Sequence, residues 1–207
     1  TRVLIDLYKD SDDTPNYHNV VYFDIECEIG GTLTPEYIKS APMKMTSIAL
    51  YDDTSKKYYC LVLDEKQQIN SFANVDKEVR TYKTEAEMLS DFLNLWEEID
   101  PTIISGWNSG FFDVPYMYYR LCNVLGKNEA LRLSPLRKFN FTEWDISQPI
   151  EIGGINHLDY MLLFKKYITK QEPSYKLGDI GEKYVKLGKI DYEGSLDKLF
   201  KDDINKF

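Results

Sequence analysis

The chain has 207 residues, of which 43% are hydrophobic and 14% aromatic, and it carries a net charge of -9. This apolar content can form the core of one domain and argues against a disordered chain. The acidic excess argues against broad electrostatic attraction to nucleic acid, although it is compatible with an acidic, metal-dependent site. We find neither a membrane-spanning run nor a signal-peptide pattern, and we therefore expect a cytoplasmic protein without membrane contact.

The stretch from Val20 to Cys27 is predicted to be a buried strand that presents two carboxylates. Alternation along a strand places Asp24 and Glu26 on one face, and because both faces begin apolar, we expect the strand to be covered on two sides. Neighbouring carboxylates in such a place would repel each other, and a divalent cation such as Mg²⁺ or Mn²⁺ would relieve that cost. The alternative is that Asp24 and Glu26 only mark where the strand emerges into water.

Two more strands are predicted next, at residues 45–51 and 57–63, and their short connection favours antiparallel pairing. Residues 67–77 are polar and predict no defined element. Thr84 and Glu87 then form a capping-box pattern in front of apolar residues at helical spacing, which predicts a helix that ends before Pro101. A short buried strand is predicted at residues 102–106.

Aspartates stand at the expected starts of two later helices. Asp113 lies at the expected N-cap of a helix from Tyr116 to Leu125, and the alternative to a functional role is that it only caps this helix. A last strand is predicted at residues 153–158, and Asp159 is the expected N-cap of the helix that follows it, Tyr160 to Tyr167. Both aspartates therefore have a local explanation.

A β-hairpin is predicted between these two helices. Residues 139–142 and 150–152 alternate in polarity on either side of a tip at residues 143–149. Further helices are predicted from Pro173 to about Val185 and from Leu196 onward. Without repeats or low-complexity tracts, the sequence favours a single domain.

Two motifs in this order resemble those of a known family. Phe23-Asp24-Ile25-Glu26 resembles the first exonuclease motif of family B DNA polymerases. The segment Asn108 to Asp113 resembles the second motif, Asn-x-x-x-Phe-Asp. Residues 132–135 with 137–138, and residues 158–160 with 173–177, resemble the polymerases of T-even-type bacteriophages in particular. The resemblance covers about residues 20 to 200.

The resemblance implies a 3'-5' proofreading exonuclease domain of a replicative DNA polymerase. Its fold would be α/β and ribonuclease-H-like, with a mixed five-stranded sheet, flanking helices and a β-hairpin insertion. Asp24 would bridge two ions of Mg²⁺ or Mn²⁺, Glu26 would orient the attacking water and help hold one ion, and Asp113 would hold the second ion. Asn108 and Phe112 would lie beside the 3'-terminal nucleotide. The alternatives are that Asn108 ties down its own loop and that Phe112 belongs to the core.

The resemblance also sets expectations for boundaries and partners. Residues 1–17 would be an incoming segment from a preceding domain, and residues 18–207 the exonuclease domain, truncated before the third family motif. That motif is Tyr-x-x-x-Asp, and we find no match to it after Leu196, which predicts little nuclease activity for this chain by itself. The implied partners are the single-stranded 3' end of primer DNA, the other polymerase domains and replication accessory proteins.

Two basic residues before the hairpin complete the candidate site. Arg137 and Lys138, with the hairpin that follows, resemble the strand-separating hairpin of the phage enzymes, which makes them possible DNA contacts. The alternative is a solvated edge. Two other functions remain open for the whole chain: a degenerate exonuclease-like module that only contacts DNA or supports structure, and a stand-alone nuclease with a ribonuclease-H fold. The presence of Asp24, Glu26 and Asp113 argues against the degenerate module.

Overall fold

A mixed β-sheet with helices around it forms the computed structural model, which describes residues 18–28, 30–142, 145–188, 194 and 196–204. The strands in chain order are β1 (Val20–Cys27), β2 (Met45–Asp52), β3 (Lys57–Leu63), β4 (Phe72–Ala73), β5 (Lys77–Tyr82), β6 (Ile103–Gly106), β7 (Phe139–Phe141), β8 (Ile150–Ile152) and β9 (Asn156–Asp159). The helices are α1 (Pro35–Ser40), α2 (Glu85–Ile99), α3 (Asp113–Val124), α4 (Lys127–Ala130), α5 (Tyr160–Tyr167), α6 (Leu177–Val185) and α7 (Leu196–Asp202). The expected incoming segment, residues 1–17, lies outside the described residues.

The strand order of the main sheet brings three strand ends together. Seven strands lie in the order β4-β5-β3-β2-β1-β6-β9. Strand β1 is antiparallel to β2 and parallel to β6, and β6 is parallel to β9. Parallel neighbours end at the same edge of a sheet, and the carboxyl ends of β1, β6 and β9 therefore meet there. The first motif lies in β1, and the second motif follows β6.

The predicted α/β class, the mixed sheet and the flanking helices are confirmed, but the sheet has seven strands rather than five. The two additional strands, β4 and β5, occupy and follow the polar stretch that predicted no element. Strand β5 lies parallel to β3 with most of its side chains half-buried, so its sequence lacks a clear apolar alternation. An ion pair at 2.5 Å joins Glu78 of β5 to Lys57 of β3, a contact between strands that a sequence window does not contain.

Strand β1 is buried on one face. Phe23 and Ile25 lie in the core, where the Phe23 ring meets the edge of Trp96 on α2 with 6.2 Å between ring centroids. On the opposite face, Tyr22 is 47% exposed and Asp24 is also exposed. The expectation of a strand covered on two sides is therefore wrong within the described part of the chain. The open face leaves Asp24 accessible to solvent.

Helix α2 and the hairpin follow their sequence patterns. The capping box is confirmed, since Thr84 Oγ1 accepts from the Glu87 N–H at 3.2 Å and Glu87 Oε2 accepts from the Thr84 N–H at 3.0 Å. Strands β7 and β8 pair antiparallel, as predicted, although residues 143 and 144 of the tip lie outside the described residues. Among the helices that the structure describes, none has the length and apolar character needed to cross a membrane.

Candidate active site

Asp113 is the first residue of α3, and its carboxylate reaches across to β1. Its Oδ1 accepts a hydrogen bond from the backbone N–H of Ile25 at 3.1 Å. Strand β6 pairs with β1 only as far as Tyr22 and Ser105 and ends at Gly106, so the carboxylate satisfies a β1 donor beyond the end of its neighbour. The prediction that Asp113 is an N-cap is wrong, because the cap position is occupied by Phe112.

This hydrogen bond places Asp113 beside the first motif. Ile25 lies between Asp24 and Glu26 in β1, and Asp113 itself is only 4% exposed. Burial, together with the charges of Asp24 and Glu26, raises the pKa of Asp113 to about 8 against the opposing effect of the Ile25 N–H. Asp24 is exposed and Glu26 is half-buried, so the acidic cluster opens toward solvent.

The donor set is compatible with a hard divalent cation. Three carboxylates supply only oxygen donors, which Mg²⁺ and Mn²⁺ prefer, and a cation would offset their mutual repulsion. In the part of the chain that the structure describes, no group of three or more histidine, cysteine, aspartate or glutamate side chains has an arrangement that could hold a metal ion. The ligand roles of Asp24, Glu26 and Asp113 therefore stay predictions.

The second motif forms a tight turn between β6 and α3. Asn108 has a left-handed backbone with φ of 61°, and its carbonyl accepts from the N–H groups of Phe111 and Phe112, each at 3.2 Å. Its own N–H donates to Asp159 Oδ1 at 3.2 Å. The backbone of Asn108 thus organises its own loop, which was the alternative to a nucleotide contact, and a contact of its side chain with DNA remains a prediction.

The two phenylalanines of the motif pack partly against the core. Phe112 is half-buried, and its ring centroid lies 5.3 Å from that of Tyr116 on the next turn of α3. Phe111 is half-buried too, and it lines a cavity of about 590 Å³. That cavity lies between α1, the start of α3 and the hairpin, with Ile38 and Phe141 among its other lining residues. The nucleotide contact of Phe112 stays a prediction.

Asp159 has contacts that its sequence position does not reveal. Its predicted N-cap role is confirmed by bonds from the N–H groups of Met161 and Leu162 to Oδ1, at 2.9 and 3.3 Å. The same carboxylate also accepts from Asn108 N–H and from Gly110 N–H. A local pattern could predict the cap, but the bonds to the second motif span about fifty residues, and no local signal indicates them.

Arg137 and Lys138 stand just before β7, as predicted. The Arg137 guanidinium donates to Glu97 Oε1 at 2.8 Å, and both side chains of this ion pair are exposed enough for water to screen it. The side chain of Lys138 is exposed, and its backbone N–H donates to Ser134 Oγ at 3.0 Å. These contacts neither require nor exclude DNA binding, which stays a prediction for both residues.

Comparison with known proteins gives the family. A family model described as "DNA polymerase family B, exonuclease domain" matches residues 2–180. The DNA-directed DNA polymerase of Escherichia phage RB69 is 38% identical over 122 residues, which is 57% of this chain and 14% of the phage protein. The DNA-directed DNA polymerase of Enterobacteria phage T4 is 34% identical over 122 residues, which is again 57% of this chain and 14% of the phage protein. The DNA polymerase delta catalytic subunit of Dictyostelium discoideum is 23% identical over 195 residues, 89% of this chain and 17% of that protein.

These matches confirm the resemblance that the two motifs carry. The chain belongs to the exonuclease domain family of the family B DNA polymerases. It covers between 14% and 17% of the length of the three relatives. The part it matches in them is therefore a small portion of a much longer polymerase.

Proposed function

We propose that this domain is a 3'-5' proofreading exonuclease that hydrolyses the 3'-terminal phosphodiester of DNA. The observation that supports it most is the hydrogen bond from the Ile25 N–H to the Asp113 carboxylate. This hydrogen bond joins the second motif to the strand that carries Asp24 and Glu26. It lies at the edge of the sheet where the carboxyl ends of β1 and β6 meet. The relatives are named as DNA polymerases, which supports a parent protein that synthesises DNA.

In this proposal each acidic side chain has its own task. Asp24 and Asp113 would hold the divalent ions, and Glu26 would orient the attacking water and contribute to one ion site. When bound, two ions of Mg²⁺ or Mn²⁺ supply a hydroxide at neutral pH and stabilise the departing 3' oxygen. Asp113 must be ionised to act as a ligand, and its raised pKa therefore links metal binding to proton release.

The 3'-terminal nucleotide would lie beside the turn of the second motif. Phe112 is packed on Tyr116 by one part of its ring and keeps a solvent-accessible part, which can pack on a sugar or base. Asn108 offers its side-chain amide to the same nucleotide. Arg137 and Lys138 would contact DNA farther along, next to the hairpin.

The remaining parts of the proposal concern the chain's surroundings. We assign the exonuclease domain to residues 18–207 and place residues 1–17 between it and a preceding domain. The partners would be the primer 3' end, the other polymerase domains and replication accessory proteins, in the cytoplasm of the cell or host. A fourth metal carboxylate, which the family takes from its third motif, is not assigned to any residue of this sequence.

The test uses the polymerase that carries this domain and a primer with a mismatched 3' end. We expect Asp24→Ala to reduce removal of the mismatched nucleotide on the order of a thousandfold or more, while primer extension changes little. Asp53→Ala is the matched control, since Asp53 is a surface aspartate paired with Lys56 at 2.6 Å outside the site. Removal of the mismatch at the wild-type rate by Asp24→Ala would contradict the proposal.

A further inference from the structure

The carboxylate of Asp159 connects two chain segments at the edge of the sheet. It is 4% exposed, and it accepts from four backbone N–H groups. Two of these, from Met161 and Leu162, belong to the first turn of α5, and the other two belong to Asn108 and Gly110. Three of the four bonds go to Oδ1 and the bond from Gly110 goes to Oδ2, so both oxygens of the carboxylate accept from the backbone.

The turn that Asp159 holds requires the backbone of Gly110 to lie close to the Asp159 carboxylate. Gly110 N–H donates to Asp159 Oδ2 at 2.9 Å. A Cβ added at Gly110 would lie 2.6 Å from the Ser147 carbonyl oxygen and 3.3 Å from Asp159 Oδ2, so a larger residue would push the turn away. Next to it, Ser109 is fully buried, and its Oγ lies 2.8 Å from His157 Nε2 on β9. Strand β9 is therefore hydrogen-bonded to three consecutive residues of the second motif, Asn108, Ser109 and Gly110; we call these contacts the grip.

The grip continues into the active site through the start of α3. The Val114 N–H donates to the Ser109 carbonyl at 3.0 Å, which ties the first turn of α3 to the held residues. Asp113, the residue before Val114, then reaches Ile25 on β1. The position of the Asp113 carboxylate thus depends on the turn that Asp159 holds.

We infer that Asp159 is a positioning residue of the exonuclease site: by holding the Asn108–Gly110 turn, it fixes the placement of Asp113. The expected effect on catalysis rests on the proposed function, whereas the hydrogen bonds from the turn to Asp159 are a property of the fold. Groups that orient metal ligands from behind typically change metal affinity or activity by about ten- to a hundredfold when they are removed. The same range is expected for Asp159.

The decisive variant separates capping from gripping. Asp159→Ser keeps a side chain that can cap α5, because serine at an N-cap accepts from the N–H groups of the first turn, but it is too short to reach both loop donors. Asp159→Asn is a second variant that keeps Oδ1 and turns an amide N–H₂ toward Gly110. The matched control is Thr84→Ala, which removes the cap of α2, far along the chain from the turn.

Two measurements on the 207-residue chain test the inference. In Asp159→Ser we expect amide hydrogen exchange at Asn108 and Gly110 to become about tenfold faster, as the loss of one hydrogen bond to a charged acceptor implies. We also expect Mn²⁺ affinity, measured by calorimetry without DNA, to fall about tenfold. Asp159→Asn should speed exchange mainly at Gly110. Thr84→Ala should lower the melting temperature and change neither quantity.

Each outcome decides the matter. Exchange and Mn²⁺ affinity at wild-type values in Asp159→Ser would show that Asp159 only caps α5. Equal changes in Thr84→Ala would show a general loss of stability, and both results overturn the inference. If the wild-type chain binds no Mn²⁺, the three carboxylates Asp24, Glu26 and Asp113 do not hold an ion without the family's fourth carboxylate, and amide exchange at Asn108 and Gly110 alone then decides whether Asp159 holds the turn.

Discussion

The starts of α3 and α5 each bury an aspartate to the same degree, and the two carboxylates have opposite surroundings. Asp113 and Asp159 are both 4% exposed. Asp159 accepts from four backbone N–H groups, whereas Asp113 accepts from Ile25 and lies near the charges of Asp24 and Glu26. Backbone donors stabilise a buried carboxylate, and neighbouring acids destabilise it. With equal burial, the carboxylate at α5 is stabilised by backbone donors, whereas the carboxylate at α3 has a costly negative charge that a cation would stabilise.

The largest expected effect is that replacing aspartate by asparagine changes the free energy of unfolding in opposite directions at the two helix starts. In metal-free chain at pH 9, Asp159→Asn should lower the free energy of unfolding by about 3 kcal/mol, because one acceptor is lost and an amide donor faces the Gly110 N–H. Asp113→Asn should raise it by about 2 kcal/mol, because the amide oxygen still accepts from Ile25 and the buried charge is gone. Urea unfolding curves of both variants measure the two values.

The control for this pair is Asp53→Asn at an exposed aspartate, which should stay within about 0.5 kcal/mol of wild type. Destabilisation by both Asp113→Asn and Asp159→Asn would remove the contrast. In that case the buried charge of Asp113 would cost the folded chain little, and the case for a cation-dependent site would weaken.

Sequence reasoning succeeded where the determining contacts are local and failed where they are distant. The capping box at Thr84 and the cap role of Asp159 depend on residues three positions apart or fewer, and both were predicted. Asp113 carries the same local signal, yet its partner Ile25 lies 88 positions earlier, and the cap prediction was wrong. The pairing of β5 with β3 is equally distant. The motif resemblance overcame part of this limit, since it named Asp24, Glu26 and Asp113 together.

A smaller effect is expected in the pH dependence of stability. The pKa of Asp113 is raised from 3.8 to about 8, so between these values the folded chain keeps a proton that the unfolded chain has released. Stability therefore falls as pH rises through this window. Burial lowers the pKa of His157 from 6.5 to about 4, and there the unfolded chain binds the proton first, so stability falls as pH decreases from 6.5 to 4.

The two slopes oppose each other below pH 6.5, and above it only that of Asp113 remains. We expect the difference in unfolding free energy between Asp113→Asn and metal-free wild type to grow by up to about 2 kcal/mol from pH 6.5 to 8. Saturating Mg²⁺ should reduce this growth, because a bound cation favours the ionised carboxylate. A difference that stays constant across this range would show that Asp113 titrates as an ordinary aspartate.

The smallest expected effect on the free energy of unfolding is at Arg137, which lies outside both helix starts. The effect of removing its side chain is a baseline for the effects at Asp113 and Asp159. Its ion pair with Glu97 at 2.8 Å is exposed, so Arg137→Ala should change the free energy of unfolding by less than about 0.5 kcal/mol.

If Arg137 contacts a phosphate, the same variant should reduce the slope of log affinity against log salt for single-stranded DNA by about 0.7, the value for one phosphate contact. Lys56→Ala provides the control, because Lys56 is a surface cation paired with Asp53 away from the hairpin and should leave the slope unchanged. Fluorescence anisotropy across a salt series measures both slopes. Equal slopes for wild type and Arg137→Ala would assign Arg137 to the solvated edge, and the hairpin would then need another residue to contact DNA.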